Sequence, residues 1–518
     1  MADTANEMGR ILVKLRASAP LGAAAASANL RPVFDRPSGG GTFGVNGAAQ
    51  WFIADVPDLP VSPGAQVNPW DFAHAQVSDQ LGVGEEDILF AEPDWVHGEA
   101  FRVDSEGDGT CASVPQDWNH KKAVGPPGEL AWHLGNNFSQ LAAARDAVSF
   151  AAPRVRIGHV DTGYDRLHET LPKHLLRQLG RSFVDADRVH TGGEDPDNQA
   201  FLLDNSGHGT GTLGILAGAA VSAANDVLLG GAPEAEVVPV RVSDRVVLLR
   251  TSALAAGLQY AADSGCDVIT LSMGGLPSRL WGEVVDRLYE RGVCICAAAG
   301  NHFGATPPRV LVYPARFPRV IAVCGVMANQ TPYADLDGLV LEGSFGPDSV
   351  MGQAIAAYTP NIPWPQYGCR GGVRLNGEGT SAATPQVAAA AALWFENYKQ
   401  RLPRDWRRVE AVRHALFSTA RKLDAEHFGN GNFASTFSTR GRPRLEPTSQ
   451  PNLRCEFGTF PPHHRSRSGG GAAARADVQP RTRAACPAEP APARARSRPG
   501  SRTADEGFGP AGLHDGNH

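Results

Sequence analysis

The 518-residue sequence contains no run of about 18 consecutive apolar residues, the length a helix needs to cross a bilayer. No membrane partner is therefore expected. Charge is sparse, with Asp, Glu, Lys and Arg at 20%, and aromatic residues make up only 7%. There is no basic excess: the formal net charge is −6, so a global positive field for nucleic acid is excluded. Cysteine is also scarce, with eight residues, several of them in apolar runs such as 293–298 and 320–326. Buried reduced thiols are expected there rather than a disulfide framework. Cys294 and Cys296 have no second pair at ligand spacing, so no zinc site is expected. The first thirty residues lack the bulky apolar core of a Sec signal, which implies a cytoplasmic or non-classically exported protein.

Glycine and proline, by contrast, are abundant, at 58 and 39 residues. That content argues against a coiled coil or a simple helical bundle. Charge is also unevenly spread. Residues 435–518 carry 13 Arg, no Lys and 7 acidic residues, but only 8 large apolar residues. Such a tail cannot bury enough apolar surface to offset its conformational entropy, and disorder is expected.

Between 154 and 421, short β-branched runs alternate with helix-like stretches. Strands are expected at 155–160, 236–242, 267–272, 293–298 and 320–326. Helices are expected at 210–220, 252–264, 278–291, 384–401 and 407–421. This alternation predicts an α/β fold, a doubly wound and mainly parallel sheet, with chemistry gathered at the carboxyl ends of its strands. Residues 10–100 form a separate small α+β pattern, with strands at 11–15 and 88–94 and a helix at 69–82. A polar, Gly/Pro-rich linker, 101–128, separates it from the large domain, 129–430.

Four segments carry residues suited to acyl transfer. Asp161 ends a strand in Val-Asp-Thr-Gly, and His208 stands between glycines in Ser-Gly-His-Gly-Thr-Gly. Asn301 follows the strand 293–298, and Ser381 lies in Gly-Glu-Gly-Thr-Ser-Ala-Ala-Thr-Pro before an Ala-rich helix. A serine hydroxyl needs an adjacent base, which His208 can supply, and Asp161 can orient the imidazole. Asn301 can donate to a developing oxyanion, with the Ser381 N–H as second donor. Pro385 suits the first turn of the helix behind Ser381. Each residue also has a plain reading: Asp161 and Asn301 as turn formers, His208 as a loop histidine, Ser381 as a helix cap. Gly209–Gly214 also fits the dinucleotide pattern G-x-G-x-x-G, but no buried strand precedes it.

Taken together, these segments resemble the subtilisin-like serine peptidases, the subtilases. The order Asp, His, Asn, Ser at separations of 47, 93 and 80 residues supports this, as do Gly231–Glu236 and Leu271–Gly275. The resemblance covers about 125–430 and implies a serine endopeptidase acting on peptide or protein substrate without a cofactor. It further implies that Ser272, Met273, Gly274 and Gly275, with Ala298, Ala299 and Gly300, line the substrate groove. More weakly, 10–100 resembles the family's inhibitory pro-domain, acting in cis until the linker is cut, and a monomer is expected. Several positions depart from the family's habit: Gly211 where a second His is common, Ala382 for Met, Gln386 for His, and Ala357–Asn361 for an Ala-Pro-Gly turn. The related acid peptidases place Glu where His208 stands, which argues against them. An inactive fold-mate serving as a binding module is the alternative. A calcium site is common in the family, but Asp195–Asn198 and Asp204 match no fixed motif. A solvated acidic loop, and no metal, is expected there.

Overall fold

A computed structural model describes residues 9–21, 23–34, 49–56, 69–97, 111, 129–184, 192–195, 207–244, 246, 249–303, 309–333 and 341–432. The tail 435–518, and the linker 101–128 apart from Cys111, lie outside the described residues.

The large domain is organised on a seven-stranded sheet in the order Ala354–Tyr358, Ile321–Val326, Cys294–Ala298, Val268–Leu271, Arg156–Asp161, Glu236–Arg241 and Arg181–Ser182. Every pairing is parallel. The strands are apolar on both faces because both are covered. On one side, Ile269, Leu271 and Ile295 pack with Leu254, Leu258, Trp281 and Val284 of helices Thr251–Asp263 and Arg279–Glu290. On the other, Ile157, Val268, Cys294 and Cys296 pack with Leu213, Leu216 and the alanine run Ala388–Ala392. Those residues belong to helices His208–Ala217 and Gly379–Tyr398. The alanines have a packing use: short side chains let a long helix lie close over the centre of the sheet.

The N-terminal part carries a four-stranded antiparallel sheet in the order Arg31–Pro32, Gln50–Val56, Gly9–Leu15 and Ile88–Pro93. Helix Pro69–Leu81 covers one face through Ala73, Val77 and Leu81. The sheet sits on the starts of two large-domain helices. Glu92 accepts from Ser278 Oγ, Arg279 N and Leu280 N, at 3.0 Å each. Asp94 accepts from Ser252 N at 2.8 Å and Ser252 Oγ at 2.7 Å. Two carboxylates therefore satisfy helix N-termini, whose first N–H groups have no acceptor within the helix. Lys14 pairs with Glu283 at 2.9 Å, and Trp51 Nε1 donates to the same carboxylate at 2.9 Å.

Cys266, Cys294, Cys296 and Cys324 are buried and reduced, as their apolar surroundings imply. The cysteine reading needs one correction, because Cys111 forms a disulfide with Cys369, 258 residues away. Cys111 lies in polar sequence and is exposed, so burial does not shield its thiol from pairing. Cys455 and Cys486 are outside the described residues. Among the described residues, no helix is long and apolar enough to cross a membrane.

Candidate functional site

Asp161 is the last residue of its strand, and His208 the first of its helix. Both stand at the carboxyl edge of the sheet, where parallel strands present side chains to a crevice. His208 Nδ1 lies 2.7 Å from Asp161 Oδ1, and both side chains are buried. A carboxylate only accepts, so Nδ1 carries the hydrogen and the Nε2 lone pair is left as the basic position. Asp161 Oδ1 also accepts from Thr162 N at 2.8 Å. Burial pushes the Asp161 carboxyl up, but the charge and hydrogen bond of His208 outweigh it, leaving Asp161 below the ordinary carboxylate value.

Ser381 is the third residue of the helix Gly379–Tyr398, not its cap. Its N–H is thus among the first four, which have no acceptor within the helix. The start at Gly379 also corrects the placing of Pro385, which falls in the second turn. There a proline withholds a hydrogen bond from the carbonyl four residues back, that of Ser381. Ser272 Oγ supplies it instead, donating to Ser381 O at 3.0 Å, while Ser381 Oγ donates to Ser272 O at 3.3 Å.

Asn301 meets the same turn from the neighbouring strand end. Its Oδ1 accepts from Thr380 N at 2.9 Å, and Thr380 Oγ1 bonds Gly300. With Oδ1 so held, the amide Nδ2 is the end left to donate elsewhere. Gly379 has φ +73°, and a Cβ there would stand 2.8 Å from Asn301 Nδ2. Glycine is needed at this position for both reasons.

The groove segments come together only in part. Gly274 faces Val312, whose Cγ2 would be 2.4 Å from an added Cβ. Ala299 O accepts from Val312 N at 3.0 Å. Gly275 spends both backbone groups on Tyr313, at 2.7 and 3.0 Å, and the Met273 side chain belongs to the core. Val312 and Tyr313, which sequence reading passed over, therefore knit 272–275 to 298–300. Also missed is Leu249–Arg250, a short segment pairing antiparallel with Val96–His97 of the N-terminal part. Both are too short to show a period.

The departures at 211, 357–361 and 386 have structural counterparts. A Cβ on Gly211 would lie 1.9 Å from Trp364 Cε2, and the Trp364 ring stands edge-on to His208 at 5.6 Å. Gly211→Ala should therefore cost about 1–3 kcal/mol of stability and lower kcat, because Trp364 must shift against His208. Thermal melting and steady-state kinetics check this, and an alanine variant matching the parent would refute it. Ala357 and Tyr358 end a core strand rather than open a turn, and Gln386 Nε2 ties that strand end down, donating to Tyr358 O at 2.7 Å.

The dinucleotide pattern 209–214 lies within a fully buried helix and leaves no room for a pyrophosphate. Asp195 is buried near Arg241, with side chains 4.0 Å apart, rather than solvated. Pro196, Asp197, Asn198 and Asp204 are outside the described residues. Among the described residues, Asp424, Glu426 and His427 converge, but Asp424 is already spent on Glu426 N and His427.

Comparison with known proteins agrees with this architecture. The family described as "Subtilase family" matches residues 153–433, more than half of the chain. Subtilisin DY of Bacillus licheniformis is 30% identical over 55% of this chain and 90% of its own length. Subtilisin E of Bacillus subtilis (strain 168) is 30% identical over 58% of this chain and 70% of its own. Thermitase of Thermoactinomyces vulgaris is 31% identical over 52% and 81%. With the parallel sheet, its two helical layers and these matches together, the chain belongs to the subtilase family and is a subtilisin-like serine endopeptidase.

Proposed function

We propose that peptide hydrolysis proceeds through an acyl-enzyme on Ser381, with His208 as base and then acid, Asp161 as its orienting partner and Asn301 as oxyanion donor. The buried 2.7 Å contact between His208 Nδ1 and Asp161 carries this reading, because it leaves Nε2 as the basic nitrogen. In the resting arrangement the Ser381 hydroxyl donates to Ser272 O. For attack it gives up that contact and passes its proton to His208 Nε2. The carbonyl oxygen of the substrate then gains charge between Asn301 Nδ2 and the Ser381 N–H, where the start of the helix favours an anion.

Extended substrate is bound along Ser272–Gly274 by backbone hydrogen bonds, with Ala298–Gly300 forming the opposite wall and Gly275 acting through its tie to Tyr313. Residues 10–100 serve as an inhibitory pro-domain in cis, released by a cut in 101–128. The support is the pairing of Val96–His97 with Leu249–Arg250, together with the Glu92 and Asp94 caps. The enzyme works as a monomer on protein substrate.

A fluorophosphonate probe tests the assignment. After release of the N-terminal domain the parent should be labelled on Ser381, and Ser381→Ala should not. Labelling that persists in Ser381→Ala would move the nucleophile elsewhere. No labelling of the processed parent would favour the inactive binding module.

A further inference from the structure

We propose that His159 and Thr212 form a positioning pair that holds the second oxygen of Asp161, and through it fixes the catalytic imidazole. This rests on reading Asp161 and His208 as the catalytic pair.

Both side chains are buried where apolar residues would serve packing as well: His159 is 2% exposed and Thr212 1%. A buried polar group is costly unless it is hydrogen-bonded, so two in contact call for a physical reason. His159 Nε2 lies 2.8 Å from Thr212 Oγ1, and Thr212 Oγ1 lies 3.0 Å from Asp161 Oδ2. The same hydroxyl is 3.3 Å from both His208 O and Gly209 O. It has one hydrogen and four possible acceptors, His159 Nε2 included, and a threonine within a helix ordinarily turns to a carbonyl of the preceding turn.

His159 decides the outcome. If its Nε2 accepted the threonine hydrogen, Oγ1 would face Asp161 Oδ2 at 3.0 Å with no hydrogen between two oxygens. That contact is repulsive. The consistent arrangement has Nε2–H of neutral His159 donating to Oγ1, and the hydroxyl hydrogen pointing at the carboxylate. Burial supports the neutral ring, pushing His159 down to about 4. Asp161 is then held at both oxygens: Oδ1 by His208 and Thr162, Oδ2 by Thr212. A carboxylate held at both ends cannot swing about its own axis, so the imidazole it orients stays aimed. Neither His159 nor Thr212 touches substrate, and their action passes through Asp161.

The test is steady-state kinetics of the processed enzyme on a peptide substrate, with active sites counted by fluorophosphonate titration. Thr212→Val should lower kcat per titrated site about 10- to 100-fold, the size of one hydrogen bond to a charged group, with KM unchanged. Thr212→Ser should restore most of the loss. His159→Leu should lower kcat and His159→Gln, which can place an N–H at the same point, should recover it. Because both residues act through one hydrogen bond, the double variant Thr212→Val/His159→Leu should be no slower than Thr212→Val alone. Full kcat per site in Thr212→Val, or additive losses in the double variant, overturns the proposal. If Thr212→Val yields no folded enzyme, the downfield proton resonance of the His208–Asp161 hydrogen bond is read in full-length Ser381→Ala, with and without His159→Leu. An unmoved resonance is equally fatal. Activity that survives His208→Ala would sink the catalytic reading itself. Loss in His208→Ala beside an unaffected Thr212→Val would sink the pair alone.

Discussion

His208→Ala is expected to lower kcat by a factor on the order of 10⁶, Asp161→Asn by about 10⁴, and Asn301→Leu by about 10²–10³. The first and last of these magnitudes are those of subtilisin, and the middle one that of another serine peptidase with the same triad. Their order follows from the chemistry. Without the imidazole, nothing accepts the serine proton. Replacing the carboxylate by an amide keeps the shape but presents an N–H to Nδ1, favouring the wrong tautomer. Losing the amide donor removes one contact to the oxyanion while the serine N–H remains. Because Asn301 Oδ1 also holds Thr380 N at 2.9 Å, its replacement should cost stability as well. kcat per titrated site separates the two effects. Equal losses for all three variants would contradict the assigned roles.

Acid should unfold this protein unusually early, because two of its buried histidines must take up protons when the chain unfolds. His133 and His159 are both buried, and burial pushes them down to about 3 and about 4. Their folded values lie below the ordinary histidine value, so the unfolded chain binds protons first as pH falls. The stability they leave intact is complete above about pH 6.5 and drains as pH drops toward those folded values. Each group costs about 1.4 kcal/mol per pH unit in that window, or roughly 5 kcal/mol for the pair between pH 6.5 and 4.5. Asp161 adds nothing there: its folded value is lowered, so its contribution is lost only as pH falls below the carboxylate range. Among the described residues, neither ring nitrogen of His133 has a hydrogen-bond partner, and the ring stands edge-on to Trp132 at 6.1 Å. His133→Phe should therefore fold as well at pH 8 and unfold at lower pH than its parent. Circular dichroism against pH, in the Ser381→Ala background to prevent self-digestion, gives both midpoints. Coincident midpoints would show that His133 is not the acid-sensitive group.

Much of the architecture is legible in the residues themselves, and the exceptions have physical causes. The five β-branched runs become strands within one residue of their expected ends, because strands covered on both faces are continuous apolar runs with sharp polar stops. The Ser381 helix is legible only from Thr384 onward. Proline marks a helix start in sequence, and the hydroxyl that lets it sit deeper comes from Ser272, 109 residues earlier. Strand Gln50–Val56 is hidden among residues of mixed character. Asp161, His208, Asn301 and Ser381 stand out because each lies near an element's beginning or end, within two residues of a glycine. His159 and Thr212 do not, since they look like isolated polar residues inside apolar elements. Their pairing spans 53 residues and exists only once strand and helix are packed. The Cys111–Cys369 link is invisible for the same reason, at a separation of 258.

The fit between Gly211 and Trp364 also bears on which substitutions the site can accept. Any side chain arriving at 211 collides with the indole, and shrinking the indole first opens a void beside His208. Neither single change is neutral, so a side chain can be accommodated at 211 only by altering both positions together. The contact acts as an interlock: each residue fixes the size that the other can have.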